Sequence, residues 1–208
     1  MTTRHHGALD ETLATAGARF HGTVAVDFGS VAGEVAAGRR GVGLAVADAT
    51  STTELRGTAE ELLALLPVAP VAGRASLVDG RWWCPVSPQR VLVLDPRGGR
   101  PGPVGLSTMD LTAEHVALWV LGPLAERLLR TTGHLAGPAP DGLVRVRAGR
   151  PRALVLRLSR ERFLVQVPAA TAAALWRTLA TAAPETAVAA VGRDAERLLA
   201  VCHGRGER

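Results

Sequence analysis

The side chains able to do chemistry are few, and their spacing limits what they can do. Cys84 and Cys202 stand apart without Cys-x-x-Cys spacing, so neither a zinc site nor a disulfide framework is indicated. The chain has no Lys, and all 24 basic residues are Arg. No Schiff base with pyridoxal phosphate or a carbonyl substrate can therefore form on a side-chain amine, and no Walker A lysine exists. Gly38-x-x-Gly41-x-Gly43 runs in the wrong order for a dinucleotide fingerprint and precedes a strand instead of following one. Gly98-Gly99 between Arg97 and Arg100 could cradle an anion but reads better as a linker. His5-His6 is a terminal pair, while His115 before a strand and His134 after a helix suit capping or surface roles. Asp48 and Asp110 are expected to close turns by accepting from their own backbone. No Ser lies in a Gly-x-Ser-x-Gly elbow. Trp82 and Trp83 are adjacent on a strand, so they face opposite ways, one to the core and the other free to meet a ligand.

The scaffold for these residues is large enough to bury a real core. At 208 residues and 47% hydrophobic, the chain fits one domain or two intimately packed halves. Lys, Asn, Ile and Tyr are all missing, and the A/T-rich codons they share point to a GC-rich genome. The net charge of +5 is modest, its Arg residues are spread, and 3% aromatic residues offer little to stack on bases, so nucleic-acid binding is disfavoured. No apolar run is long enough for a membrane span, and Met-Thr-Thr-Arg-His-His lacks a signal-peptide pattern. A soluble, cytoplasmic protein is expected.

Periodicity places the elements. Leu9, Leu13 and Ala16 share a helical face stopped by Gly17, 23–28 alternates as a strand, and Val31, Val35 and Ala36 give a weak helix. A buried strand over 42–47 and a polar/apolar strand lead to Thr58-x-x-Glu61, a capping box opening a helix with core face Leu62, Leu63 and Leu66. Strands follow at 74–78, 80–84 across an Asp79-Gly80 turn, and 90–94. The Gly/Pro/Arg loop 97–103 is the expected seam. Beyond it lie a strand at 116–121, a helix opened by Gly122-Pro123, and strands at 143–147, 152–158 and 163–167. A helix carrying Ala172, Leu175, Trp176 and Leu179, a strand at 187–191 and a helix at 194–201 complete the series.

Two stretches read as one unit written twice. Val42-Gly43-Leu44, Asp48, Thr50, a strand, Gly57 and Ala59-Glu60-Glu61-Leu62-Leu63 parallel Val104-Gly105-Leu106, Asp110, Thr112, a strand, Gly122 and Ala125-Glu126-Arg127-Leu128-Leu129. The Asp-to-Gly spacing grows by three residues in the second copy. A pseudo-symmetric α+β fold follows, able to hold a ligand between its halves.

In order, these pieces resemble the folate-binding domain of the glycine cleavage T-protein (aminomethyltransferase) superfamily. The matching runs are Gly17-Ala18-Arg19-Phe20, Glu34 to Arg40, Val42-Gly43-Leu44, Asp110-Leu111-Thr112 through Gly122-Pro123-Leu124-Ala125, Phe163 to Pro168, and Arg193-Asp194-Ala195-Glu196-Arg197-Leu198. The resemblance implies an α+β, pseudo-duplicated T-protein folate-binding-type domain over 1–208, mixed sheets with packed helices, with halves roughly 1–96 and 104–208. The family's C-terminal barrel has no counterpart in the sequence. Where the family carries its catalytic Asn-Asp pair stand Val68, Ala69 and Pro70. The acidic stretch that grips the pterin appears as Ser159-Arg160-Glu161-Arg162-Phe163-Leu164, with Glu161 kept by a one-residue slip. These losses bring the chain close to the gamma subunit of heterotetrameric sarcosine oxidase. That likeness implies a non-catalytic subunit of a folate-linked amine-demethylating complex, partnered by a flavin-bearing oxidase subunit or by its own copies. The alternative is a tetrahydrofolate-dependent one-carbon transfer enzyme with a rearranged site. By resemblance, Arg193 and Arg197 are the contacts for the anionic folate tail, Glu161 for the pterin edge, and Trp83 for a stacking wall. No metal ligands and no catalytic residue are assigned.

Overall fold

The computed structural model describes residues 7–67, 69–71, 73–99, 105–135, 144–146, 153–182 and 187–203. His5-His6, Val68, Arg100 and Val104 lie outside the described residues. Leu9 and Leu13, one helical turn apart, bury the inner face of α1 (Ala8–Thr15). A short hairpin, β1 (Arg19–His21) and β2 (Val24–Asp27), leads into α2 (Val31–Arg40), whose N-terminus Ser30 caps by accepting from the Gly33 N–H. Then come β3 (Val42–Val46), β4 (Ser51–Arg56), α3 (Ala59–Leu65), β5 (Ser76–Val78), β6 (Arg81–Ser87) and β7 (Arg90–Asp95). The second series is β8 (Ser107–Asp110), β9 (His115–Leu121), α4 (Ala125–Thr131), β10 (Val144–Val146), β11 (Leu154–Ser159) and β12 (Arg162–Pro168). The chain continues through α5 (Ala169–Thr181), β13 (Val188–Ala190) and α6 (Arg193–His203).

The Thr58/Glu61 capping box forms as expected, with both reciprocal bonds present. Asp79 and Gly80 both take positive φ, 51° and 75°, the backbone a type I′ turn needs between β5 and β6. Two expectations are corrected. Leu63 is 62% exposed, because Leu62 and Leu66 alone take the buried face of α3. Strands β1 and β8 had no sequence signal, being short, fully exposed and without apolar alternation.

Two main sheets result, ordered β10-β11-β12-β9-β3-β13 and β5-β6-β7-β4-β8. Neither closes into a barrel among the described residues, and the fold is α+β. Apolar side chains fill three layers. Val120, Phe163 and Val165 of the six-stranded sheet pack with Leu9, Leu128, Leu175 and Trp176 of α1, α4 and α5. Between the sheets, Ala45, Trp119, Leu121 and Leu164 meet Cys84, Leu92 and Leu94, with Ala195 and Leu199 of α6 at one end. Outside the five-stranded sheet, Leu55, Trp83, Val91 and Val93 lie beneath Leu62 and Leu66 of α3.

The pairing pattern reveals a duplication deeper than the sequence suggested. Replacing β5, β6, β7, β4 and β8 by β10, β11, β12, β9 and β3 converts one sheet into the other. Both inner hairpins carry the same irregularity, a register shift between Pro85 and Ser87 and another between Arg157 and Ser159. In each, a Ser pairs with an Arg three residues later, Ser87 with Arg90 and Ser159 with Arg162. The element order of the two units is the same, but the anchors shift. Arg90 opposes Arg56 and Arg162 opposes Leu121, so Glu54 corresponds to Trp119 and Gly57 to Gly122. Arg56 opposes Ser107 and Leu121 opposes Gly43, so Gly43 corresponds to Ser107 and not to Gly105. The Leu111 N–H donates to Thr52 O at 2.9 Å where the Ala47 N–H donates to Ala117 O at 2.8 Å. Asp48 therefore matches Thr112, two residues from the expected Asp110.

Candidate functional site

Three loops and one helix end meet at the tip of the β11–β12 hairpin. Ser159 is buried and its Oγ accepts from the Glu161 N–H at 3.4 Å, while the Glu161 carbonyl accepts from the Gly122 N–H at 2.8 Å. Gly122 has φ 111°, and a Cβ there would run into the carbonyls of Gly38 and Gly41, so only glycine fits this crossing of the β9–α4 turn over the end of α2. Glu34 sets the entry of α6. Its buried carboxylate accepts from the Phe28 N–H at 2.7 Å and from the Gly192 N–H at 2.8 Å, tying α2 to β2 and to the residue preceding α6.

This framework carries an arginine-rich cluster. Arg162 Cζ stands 4.4 Å from the Trp119 ring centre, a cation–π contact inside the sheet-to-sheet layer. Burial lowers the pKa of Arg162, with Glu196 acting in the opposite sense. Burial likewise raises the pKa of Glu196, and the Arg162 and Arg197 guanidiniums pull it back only in part. The Nε atoms of Arg162 and Arg193 are both buried and find no hydrogen-bond acceptor among the described residues. Asp194 Oδ1 is 3.9 Å from Arg193 Nε, too far for a hydrogen bond. Two buried guanidinium Nε donors without an acceptor, one at the first residue of α6 and one coupled to Glu196 on the same helix, are suited to an anion.

Three of the four residues expected from sequence belong to this end of the molecule. Glu161 is at the hairpin tip next to Arg162, and Arg193 and Arg197 lie one turn apart on α6, on either side of Glu196. Trp83 does not belong here. It is 6% exposed beneath α3, on the far face of the five-stranded sheet, because strand alternation sends it away from the sheet-to-sheet layer. Trp82 takes the other face as expected, but there it packs half-buried against the layer between the sheets. The indole of the cluster is Trp119, which sequence reading passed over with Arg162 and Glu196. A signal for Arg162 existed in the repeated Ser-x-x-Arg at both hairpins.

The other polar groups differ in character. Burial pushes Glu54 up, but hydrogen bonds from Arg90 and Arg56 outweigh it and hold the carboxyl below its ordinary value. Asp95 behaves the same way through Arg81 and the Arg97 N–H. Asp110 Oδ1 accepts from the Thr112 N–H at 3.0 Å, the local turn bond expected of it. His134 is buried with Nδ1 2.9 Å from Thr132 Oγ1, and burial lowers the pKa of half-buried His115. Cys84 is fully buried and burial drives its thiol pKa far up, which removes nucleophilic character. Among the described residues no three His, Cys, Asp or Glu side chains converge to hold a metal, and no helix is long and apolar enough to cross a membrane.

Known structures share the fold. Glycine cleavage system aminomethyltransferase T from Bartonella henselae superposes with a TM-score of 0.76 at 19% identity, over 95% of this chain and 62% of that one. The fold is T-protein-like. A chain of the heterotetrameric sarcosine oxidase from Corynebacterium sp. U-96, solved with pyrrole 2-carboxylate, superposes with a TM-score of 0.58 at 20% identity, over 78% of this chain and 95% of that one. The chain thus spans about three fifths of the aminomethyltransferase it resembles. No protein-family model and no curated protein matches it by sequence.

Proposed function

We propose that the chain is a non-catalytic subunit of the gamma kind, serving a sarcosine-oxidase-like, folate-linked amine-demethylating complex alongside a flavin-bearing partner. The observation that carries this reading is the loss of acids: Arg160 and Arg162 stand in the 159–164 stretch where the resembled family grips its pterin with carboxylates, and Glu196, the acid coupled to Arg162, is buried with its pKa raised. Ala69 and Pro70 occupy the stretch that would bear the catalytic pair. The near-complete coverage of a chain from a heterotetrameric oxidase supports the same view. In this reading residues 1–208 act as one domain, the layer between the sheets uniting its halves.

A second reading is favoured by one feature, the unsatisfied Nε atoms of Arg162 and Arg193. They suit the anionic tail of a tetrahydrofolate held by Arg193 and Arg197, with Glu161 at the pterin edge and one-carbon transfer at a rearranged site. Calorimetric titration with tetrahydrofolate separates the two. Binding that weakens about tenfold on Arg197→Ala, roughly 1.4 kcal/mol, supports a retained folate pocket and raises the enzyme reading. No heat at about millimolar ligand, against the millimolar end of ordinary affinities, leaves the structural subunit alone.

A further inference from the structure

Glu196 is the acid on which the charge of the arginine cluster turns. α6 buries Ala195 and Leu199 in the layer between the sheets and carries Glu196 beside them. Its charged neighbours on the helix are Arg193, Asp194 and Arg197, and β12 brings Arg162. Arg160 and Glu161 complete the charges of the hairpin tip. The other elements packed against α6 are α2, β2 and β3. α2 carries Glu34, committed to the Phe28 and Gly192 N–H groups, with Arg39 and Arg40 in its last turn. β2 carries Asp27, which Arg19 holds at 2.6 Å, and β3 has no charged residue. The charges that act on Glu196 are the Arg162 and Arg197 guanidiniums, and its own burial outweighs both. Arg162 in turn feels Glu196, yet its buried Nε takes no acceptor.

Resting on the reading that this cluster takes an anion, we propose that anion binding there is coupled to uptake of a proton by Glu196. Three guanidiniums, those of Arg162, Arg193 and Arg197, stand with the carboxyls of Asp194 and Glu196. While Glu196 is ionised, it supplies the negative charge that Arg162 already feels, and an anion entering beside it meets like-charge repulsion. Protonation removes that competitor and leaves the Arg162 guanidinium with the Trp119 face and an open Nε. Arg193 keeps its own Nε donor, since Asp194 Oδ1 stops 3.9 Å away. The step balances with one proton from solvent bound on a Glu196 carboxyl oxygen, while the incoming anion keeps its charge. Linkage is reciprocal, so the anion strengthens the hold of Glu196 on its proton by the factor that the proton strengthens anion binding. Affinity for the anion therefore rises as pH falls.

Calorimetric titration of the full chain with sulfate, whose own charge is fixed between about pH 5 and about pH 8, reads this linkage directly. Wild-type affinity should rise by up to about tenfold for each unit that pH falls, the limit for one proton. Heats in buffers of different ionisation enthalpy should show net proton uptake on binding. Glu196→Gln holds the neutral shape permanently, so it should bind at high pH as tightly as the wild type does in acid, with a flat profile and no uptake. Wild-type binding indifferent to pH overturns the coupling and leaves the anion site standing. A slope that persists in a folded Glu196→Gln belongs to a histidine and overturns it equally. Sulfate binding by neither protein at any pH overturns the anion site and the coupling together. Should Glu196→Gln not fold, the wild-type heats decide: proton uptake supports the proposal, and binding without uptake overturns it.

Discussion

Arg90 and Arg162 hold the same place in the two halves, each opening the inner strand of its hairpin opposite a bulged Ser, yet they do different things. Arg90 reaches Glu54 Oε2 at 2.5 Å on the neighbouring β4. Arg162 lies over Trp119 on β9, at the position that corresponds to Glu54. The Arg90 side chain is 47% exposed and shares Glu54 with Arg56, so charge is matched by charge near water. Arg162 is mostly buried, its Nε has no acceptor, and its compensation comes from an indole face and a carboxyl pushed towards neutrality. The duplicated backbone repeats where a cation stands. The residue two positions along the neighbouring strand decides whether the cation finds a charged partner, as in the first half, or an indole face that leaves its Nε without an acceptor, as in the second. A similar divergence marks the helices: Arg157 bonds Glu126 at 3.3 Å in the second half. Its counterpart Pro85 lines an open groove of about 360 Å³ with Ala59 and Leu63.

The largest effect should come from the core positions that follow these arginines. Phe163 is fully buried between the six-stranded sheet and its helices, and Phe163→Ala should cost about 3–5 kcal/mol in urea unfolding. Its counterpart Val91→Ala removes fewer buried atoms and should cost about 2 kcal/mol. Equal losses would mean that the halves are not packed as unequal copies.

The intermediate effect sharpens the ion-pair side. The pKa of Glu54 is depressed in the fold, so its contribution is present above the ordinary value of 4.5 and is lost as pH falls through the folded value. Glu54→Gln should cost about 1–2 kcal/mol at pH 7, a figure already reduced for the half-exposed arginines. That cost should shrink in acid, while Trp119→Leu should cost the same at pH 3 and pH 7. A Glu54→Gln cost that does not depend on pH would remove the ion pair from the account.

The smallest effect tests the second half. The pKa of Glu196 is raised, so the folded state holds its proton more tightly than the unfolded chain, and stability falls as pH climbs from 4.5 through the folded value. Glu196→Gln should therefore stabilise at pH 7, by about 0.5 kcal/mol, and make no difference in acid. Destabilisation at pH 7 would show that Glu196 is a firm partner of Arg162, and would weaken the argument for an anion site.

Element types were readable from sequence wherever burial was one-sided or a turn was chemically marked. The Leu9/Leu13 spacing, the Thr58/Glu61 box, Asp79-Gly80 and the run from Ala172 to Leu179 each carry their own local physics, and the repeat of strand, Gly and helix was visible for the same reason. Glu161, Arg193 and Arg197 were named through the resemblance, whose runs follow chain order. Pairing register was not readable. A two-residue slip keeps the same side chains inward, so Asp48 and Asp110 looked equivalent until hydrogen bonds placed Asp48 with Thr112. Alternation separates Trp82 from Trp83 but cannot say that α3 roofs one face and a second sheet the other. Trp119, Arg162 and Glu196 come from β9, β12 and α6, and no spacing along the chain brings them together. Only the stacking of one sheet on another, with Glu34 holding the start of α6, sets that guanidinium over the ring and beside the acid. Local backbone preference acts over a few residues, whereas burial and charge in a cluster depend on everything packed around it.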